Sequence, residues 1–288
     1  MMDRSYKDLL KMQRFPHTWC PGCGNFSILA AAKQAMFELV KSGEVKPEQI
    51  VMSSGVGCHG KISDFIKINS FYCLHGRVPP PIMGIKVANQ RLKVIAFSGD
   101  GDSYDEGVSH LIHAARRNLD VAFIVHNNQV FALTTSQVTP TTPLGFKTKS
   151  APKGSFEVPL NPLHLMLACG ATFVARGFTG EIPHLRSLIL QAVRHRGFGF
   201  VDVLQDCRTF NPTLEKFKPK VYDINKEGHN VGDFAAAWER AKEWNGRIPI
   251  GVFYRVEKES YEKQLLGDRV LVDEKPLPSV QSLLKEFM

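Results

Sequence analysis

Two kinds of hydrophobic pattern alternate along the chain. Over residues 26–41 apolar residues recur at helical spacing, whereas residues 94–98 and 121–125 form short apolar runs typical of buried strands. Strands that alternate with helices are typical of an α/β domain with a largely parallel sheet. The pattern predicts strands at 50–53, 94–98, 121–125 and 200–204, helices at 26–41, 105–118 and 182–196, and a further helix and strand around 161–175.

The second half of the chain is less regular. Residues 136–162 are rich in Thr, Pro, Lys and Gly and predict a long ordered loop. Beyond about residue 211 charged residues and prolines become more frequent, with a helix pattern near 232–244 and a strand pattern near 248–254. We therefore expect an α/β domain over residues 1–210 and a C-terminal extension over residues 211–288.

Composition narrows the class of protein. The 288 residues are 43% hydrophobic and 22% charged, which is ordinary for a globular protein. Because no apolar run approaches the roughly 20 residues that span a bilayer, and the first residues do not resemble a signal peptide, we expect a cytoplasmic protein without membrane contact. The formal charge of +8 is spread along the chain, which argues against nucleic-acid binding. It indicates either a solvated basic surface or a docking face for an acidic protein such as a ferredoxin.

The segment Gly99-Asp100-Gly101 follows a predicted strand and has the composition of a phosphate-binding turn. Glycines let the backbone approach phosphate closely, and Asp100 offers a hard oxygen ligand for magnesium. Asn128 follows the next predicted strand. Because open α/β sheets bind ligands beyond the carboxyl ends of their strands, both residues are expected at one site, where a divalent cation would bind a diphosphate.

The chain contains six cysteines, at positions 20, 23, 58, 73, 169 and 207. Cys73 and Cys169 have apolar neighbours and are interpreted as core residues. Cys20 and Cys23 have the spacing of a metal or cluster half-site; Cys58 lies in a glycine-rich turn, and Cys207 follows a predicted strand. Four thiolates suit zinc or a 4Fe–4S cluster equally, and the spacing does not separate the two.

Three charged residues are candidates for binding an anion. Lys61 lies three positions after Cys58 and is interpreted either as a solvated side chain or as a contact for an anionic substrate. His75 and Arg77 form either an ordinary turn or an anion-binding pair. The remaining histidines considered, at positions 59, 110 and 113, lack metal-ligand spacing and are interpreted as structural.

Several of these motifs together resemble a known family. The sequence around Cys20 and Cys23, the segments 55–62 and 74–77, and the Gly-Asp-Gly turn occur in one order with the segments 111–118 and 139–142. Over roughly residues 15–210 the chain is similar to the β subunit of 2-oxoacid:ferredoxin oxidoreductases. The resemblance implies the diphosphate-binding half of a thiamine diphosphate fold.

The resemblance also implies cofactors and their ligands. It implies thiamine diphosphate held through Mg²⁺, with Asp100, Asn128 and the carbonyl of Val130 as magnesium ligands. It implies one 4Fe–4S cluster, for which Cys20, Cys23, Cys58 and Cys207 are the expected ligands. Lys61 would face the substrate and stabilise its carboxylate or a developing oxyanion. The residues expected around the thiamine cofactor are Gly57, Cys58, Gly99, Gly101, Asp102, Ala132 and Leu133, with His75 and Arg77 as the candidate anion-binding pair.

The sequence departs from the family pattern at a few positions. Phe131-Ala132 stands where Tyr-Gly is usual, Ser136 replaces a common glycine, and His126 replaces a frequent acidic residue; residues 103–107 are more polar than usual. None of these changes removes an expected ligand.

The implied reaction is the oxidative decarboxylation of a 2-oxoacid to an acyl-coenzyme A and CO₂, or its reverse, with electrons passed to ferredoxin. The chain contains only the diphosphate-binding half of such a site, so an α subunit is expected as partner, in an αβ or (αβ)₂ assembly. 2-Oxoglutarate is the first expected substrate, followed by pyruvate and branched-chain 2-oxoacids. Two other classes stay open: a non-redox thiamine enzyme and a zinc-stabilised binding module.

Overall fold

The computed structural model describes residues 17–274 and 279–286. Eight strands form one sheet in the order β2–β1–β3–β4–β8–β7–β10–β9, and β5 and β6 form a small hairpin. The strands are β1 (Ile50–Ser54), β2 (Asn69–Tyr72), β3 (Lys93–Gly99), β4 (Val121–Asn127), β5 (Val130–Phe131), β6 (Gln137–Val138), β7 (Phe173–Phe178), β8 (Phe198–Leu204), β9 (Val221–Asp223) and β10 (Ile248–Arg255).

Helices cover both faces of the sheet. They are α1 (Asn25–Lys41), α2 (Pro79–Ala88), α3 (Val108–Arg116), α4 (Pro162–Ala168), α5 (Ile182–Arg194), α6 (Leu214–Phe217), α7 (Phe234–Ala241), α8 (Tyr261–Leu266) and α9 (Val280–Glu286). Short 3₁₀ turns span Pro47–Gln49, His59–Asp64 and Leu271–Asp273, and a π-helical turn spans Asp102–Glu106. None of the described helices is both long enough and apolar enough to cross a membrane.

The central strands are apolar throughout because both of their faces are buried. In β3, Ile95 and Phe97 pack with α1 and α5 on one face, while Val94 and Ala96 pack with helices of the opposite layer. Adjacent strands are parallel from β2 to β7. β10 pairs antiparallel with β7 and parallel with β9, so these last two strands run opposite to the other six. The predicted fold class, a mostly parallel sheet flanked by helices, is confirmed.

Most predicted elements are present with shifted ends. The helix expected over 105–118 begins only at Val108, because the π-helical turn precedes it. Between residues 136 and 162 the chain is largely irregular apart from β6, as predicted for the long loop. The strand expected near 248–254 is β10, and with β9 it extends the main sheet. The division of the chain at residue 210 stays a prediction, although residues on both sides of it contribute to one sheet.

The sheet reverses its winding between β1 and β3. After β1 the chain forms β2 on one side of it, and β3 then adds on the other side. At such a switch point the loops that follow the two strands diverge and leave a crevice at their carboxyl ends. The turn at residues 55–58 and the Gly99-Asp100-Gly101 turn flank this crevice.

Candidate active site

A cavity lies at the carboxyl ends of β1, β3 and β4. It is lined by Val56, Gly57, Cys58, His59, His75, Gly99, Asp100, Gly101, Asp102, Asn128, Val130, Phe131, Ala132, Leu133 and Thr134. The structure therefore brings together most of the residues that the sequence assigned to a cofactor. Lys61 and Arg77 do not line this cavity: Lys61 Nζ donates to the carbonyl of Thr18 at 3.0 Å, and Arg77 is exposed.

Asp100 is a buried carboxylate that lines this cavity. Burial raises its pKa to about 6, although Thr139 and Thr141 partly offset this by hydrogen bonding to Oδ2, at 2.6 and 3.0 Å. Burial makes this carboxylate costly to ionise in the free protein, and a bound cation would offset that cost by compensating the negative charge. The two threonines were not predicted as partners, since only the fold brings their loop to Asp100.

The turn after β4 presents Asn128 beside Asp100. Asn128 Oδ1 accepts a hydrogen bond from the Val130 amide at 3.0 Å, and Gln129 between them has a φ of 63°. A left-handed conformation in a residue other than glycine is strained, and such strain is often found at functional sites. The turn thus holds the Asn128 amide and the Val130 backbone on the cavity side.

Gly101 allows another segment to approach the Gly99-Asp100-Gly101 turn closely. A Cβ atom at this position would lie 2.1 Å from the ring of Phe131, well inside van der Waals contact. Packing therefore requires a glycine at this position.

Asp102 and His59 form a buried pair at the wall of the cavity. His59 Nε2 lies 3.2 Å from Asp102 Oδ2, and the Gly76 amide donates to Oδ1 at 2.6 Å. Burial by itself raises the pKa of Asp102, but His59 and these hydrogen bonds outweigh it, so the net pKa is lower than usual. His59, interpreted from the sequence as structural, lines the cavity. Its position next to Cys58 in the sequence could have indicated this location. The Asp102 carboxylate is thus bound by groups of the protein itself, and its hydrogen bond with the Gly76 amide stabilises the turn that contains His75.

The four candidate cluster cysteines lie in one neighbourhood. The pKa of Cys23 is raised to about 11, mainly by burial and to a smaller extent by the nearby thiols of Cys58, Cys207 and Cys20. The pKa of Cys58 is likewise raised by burial, while Lys61 lowers it and the thiols of Cys207 and Cys20 raise it. Grouped thiols that resist ionisation suit a bound cation, which stabilises the thiolate forms.

The cysteine turns are tied to each other and to the turn after β4. The Gly24 amide donates to the carbonyl of Asp206 at 3.1 Å, which joins the Cys20–Cys23 turn to the segment after β8. Cys207 and Asn211 form an isolated β-bridge, and Asn211 Nδ2 donates to the carbonyl of Asn128 at 3.0 Å. Within the described residues no three His, Cys, Asp or Glu side chains are placed closely enough to hold a metal ion as they stand, so both ligand sets stay predictions.

The remaining assignments agree with the surroundings of each residue. Cys73 is buried with Sγ 3.2 Å from Ser53 Oγ, and Cys169 packs against the core. His75 lines the cavity with Nδ1 4.0 Å from Asp102 Oδ1. His126, the departure from an acidic residue, is fully buried and lies 2.7 Å from Asn25 Oδ1.

Comparison with known proteins identifies the family. Residues 47–203 match the family model "Thiamine pyrophosphate enzyme, C-terminal TPP binding domain", and residues 207–267 match the model for the C-terminal part of the pyruvate ferredoxin oxidoreductase β chain. The chain is 40% identical to the 2-oxoacid:ferredoxin oxidoreductase subunit beta of Saccharolobus solfataricus, over 93% of this chain and 95% of that one. It is 39% identical to the 2-oxoglutarate synthase subunit KorB of Archaeoglobus fulgidus, over 76% and 78% of the two chains.

A solved structure agrees with these relatives. The 2-oxoglutarate:ferredoxin oxidoreductase from Magnetococcus marinus, determined with 2-oxoglutarate, coenzyme A and succinyl-CoA bound, superposes with a TM-score of 0.88 at 32% identity, covering 99% of this chain and 97% of that one. The chain therefore belongs to the family of 2-oxoacid:ferredoxin oxidoreductase β subunits.

Proposed function

We propose that this chain, with an α subunit, oxidatively decarboxylates 2-oxoglutarate to an acyl-coenzyme A and CO₂, or catalyses the reverse reaction. The observation that carries the proposal is that one edge of the sheet places a buried carboxylate beside the cysteine neighbourhood. Asp100 lines the same cavity as Cys58, and Asn211 connects the segment of Cys207 to the turn of Asn128. A thiamine-dependent redox enzyme needs its organic cofactor close to its electron acceptor.

Thiamine diphosphate is proposed to bind through Mg²⁺ at the cavity. Asp100, Asn128 and the carbonyl of Val130 would hold the ion, and the backbone around Gly99 and Gly101 would approach the diphosphate. Bound there, the cofactor supplies the carbanion chemistry that removes CO₂ from a 2-oxoacid. The protein positions it: Thr139 and Thr141 orient the Asp100 carboxylate, and Phe131 packs against Gly101.

The iron–sulfur cluster is proposed to bind at Cys20, Cys23, Cys58 and Cys207. The chemistry of the donor set fits, because the other three thiols lie close enough to Cys23 to raise its pKa, and Cys58 lines the active-site cavity. Cys20 is exposed, so this edge of the site is open to an external electron carrier. Ferredoxin is the proposed carrier, and it would accept the electrons one at a time.

Lys61 is the proposed contact for the substrate. Its charge is close enough to Cys58 to lower the pKa of that thiol, so it lies beside the cavity wall although it does not line the cavity in this structure. A cation there would favour a 2-oxoacid with a second carboxylate. The KorB names of relatives and the ligands of the Magnetococcus marinus enzyme support 2-oxoglutarate as substrate and coenzyme A as acyl acceptor. Pyruvate and branched-chain 2-oxoacids are the alternatives.

An α subunit is proposed to complete the site. The family model that matches residues 47–203 describes only a C-terminal TPP-binding domain, and the relatives are named as β subunits. The proposed assembly is αβ or (αβ)₂.

Metal analysis of the complex tests the proposal. The α and β chains are purified together without oxygen, and iron, sulfide, zinc and visible absorbance are measured. We expect iron and sulfide in cluster proportions and a brown protein that oxidises 2-oxoglutarate with added coenzyme A and a low-potential acceptor. A colourless zinc protein contradicts the redox function, and a coloured protein active only on another 2-oxoacid corrects the substrate.

Two cysteine variants test the ligand assignment. Cys58→Ala should lose the intact cluster and its visible absorbance, whereas Cys169→Ala, which removes a thiol outside the proposed set, should keep both. A Cys58→Ala complex with its full iron and sulfide content would show that the assigned ligand set is wrong.

A further inference from the structure

A second cavity, of about 550 Å³, adjoins the turn after β4. Asn128 lines the active-site cavity, while its neighbours Asn127 and Gln129 line the second one. The described residues that line the two cavities are different. The second cavity is lined by proline and leucine side chains of the loop between β6 and α4, by Arg176 of β7 and by Trp244. Among the described residues that line the second cavity, Thr141 is the one to which the proposed reaction assigns a role, since it orients Asp100.

Arg176 is an unusual residue for a cavity wall because its side chain is only 2% exposed. Nε lies 3.3 Å from Asp202 Oδ2, and the guanidinium carbon lies 5.1 Å from the centre of the Trp244 ring. Nη1 has no hydrogen-bond partner among the described residues. Leaving a buried donor unsatisfied is costly, and an anion at this wall would reduce the cost.

A smaller cavity, of about 160 Å³, adjoins this one. The two share Gln129, Pro143, Trp244 and Asn245, and the smaller adds Lys216 and Lys220. Neither lysine takes part in a salt bridge with another described residue, and no described carboxylate lines either cavity. Asp202 balances the charge of Arg176, so the net positive charge at these walls comes from Lys216, which is exposed, and from Lys220, whose Nζ donates to the carbonyl of Asn245 at 3.1 Å.

We propose that the adjoining cavities bind an organic dianion with an acidic group at each end of a short carbon chain. One carboxylate would contact Arg176, the other would lie between Lys216 and Lys220, and the chain would pass the proline, leucine and tryptophan side chains. The site is separate from the one proposed for catalysis, and its ligand is of the dicarboxylate class.

Binding of glutarate, a dicarboxylate without an oxo group, tests the site in the purified αβ complex. Calorimetry is performed on a Lys61→Met complex, in which the proposed substrate contact is removed. We expect glutarate to bind this complex, and valerate, which has one carboxylate, to bind at least about tenfold more weakly, the equivalent of about 1.4 kcal/mol.

Charge variants locate the binding. Because Arg176 belongs to a buried ion pair, the test substitutes the lysines. In the Lys61→Met background, Lys216→Gln with Lys220→Gln should weaken glutarate binding at least about tenfold, while Lys218→Gln, an exposed lysine outside both cavities, should change it less than about twofold. Absence of glutarate binding, or equal affinities in the double variant and the Lys218→Gln control, would overturn the proposal.

Discussion

At the scale of single residues, the site depends on groups whose charges are costly without a ligand. The pKa of Asp100 is raised to about 6 and that of Cys23 to about 11, in both cases mainly by burial. Burial penalises the ionised form that a metal requires, and the metal offsets this penalty when it binds. These groups would therefore ionise most readily with the proposed magnesium ion and cluster bound.

This balance predicts how cofactor binding depends on pH. Protons and Mg²⁺ compete for the Asp100 carboxylate, so affinity for magnesium and thiamine diphosphate should be highest above about pH 7. It should fall as the pH drops through the pKa of about 6, by up to about tenfold per pH unit. Titrations of the cofactor-free complex at pH 7.5 and pH 5 measure the change.

The diphosphate of the cofactor also takes up protons in this pH range. The Asp100→Asn variant separates the effect of the diphosphate from the effect of Asp100. The variant should bind more weakly at pH 7.5 and lose less affinity on acidification than the parent complex. Equal losses in the two proteins would show that Asp100 is not the competing group.

Close packing at Gly101 gives a second prediction at this scale. Gly101→Ala places a Cβ 2.1 Å from the Phe131 ring, so it should destabilise the protein by about 1–3 kcal/mol through overpacking. Gly84→Ala is the matched control, since Gly84 lies on α2 with nothing within 4 Å of the added atom, and alanine there should be neutral or slightly stabilising. Thermal unfolding measures both; similar melting temperatures for the two variants would contradict the packing argument.

At the scale of elements, the predictable parts are those that local pattern determines. Strands β3 and β4 were predicted because both faces are buried, and their carboxyl ends located Asp100 and Asn128. Strand β2 was missed because it is an exposed edge strand, Asn-Ser-Phe-Tyr, without a long apolar run. Helix α2 was missed because it begins with three prolines, which usually indicate a turn.

The contacts that complete the site could not be predicted, because they join segments far apart in sequence. Thr139 reaches Asp100 across 39 positions, and Asn211 reaches Asn128 across 83. Nothing in the local pattern of either segment indicates its partner. Only the parallel order of the strands brings them to one edge of the sheet.

The Asn211 contact predicts coupling between two loops. Asn211→Ala removes the hydrogen bond to the Asn128 carbonyl, worth about 1 kcal/mol, so affinity for magnesium and thiamine diphosphate should fall about fivefold. The iron content should not change, because Cys207 keeps its thiol. Asn69→Ala, which removes a side-chain hydrogen bond at the edge strand, should leave both quantities unchanged. Cofactor affinity equal in the two variants would contradict the coupling.

At the scale of the whole molecule, the fold gathers the candidate groups at one edge and leaves the rest of the sheet as support. Helix layers on both faces bury the central strands, so the strand ends, and the loops between them, are free to vary in chemistry. The thiamine pyrophosphate family model covers residues 47–203, which include most of the sheet. Cys20 is exposed, so the site reaches solvent there. The proposed function therefore requires that electrons pass from the cavity to the cysteine neighbourhood.

The most direct test follows the colour of the complex without oxygen. When 2-oxoglutarate and coenzyme A are added to the cofactor-loaded αβ complex, the visible absorbance of the cluster should bleach, and oxidised ferredoxin should restore it. An intact cluster whose absorbance does not change while 2-oxoglutarate is present, although thiamine diphosphate is bound, would contradict the claim that this chain joins decarboxylation to electron transfer.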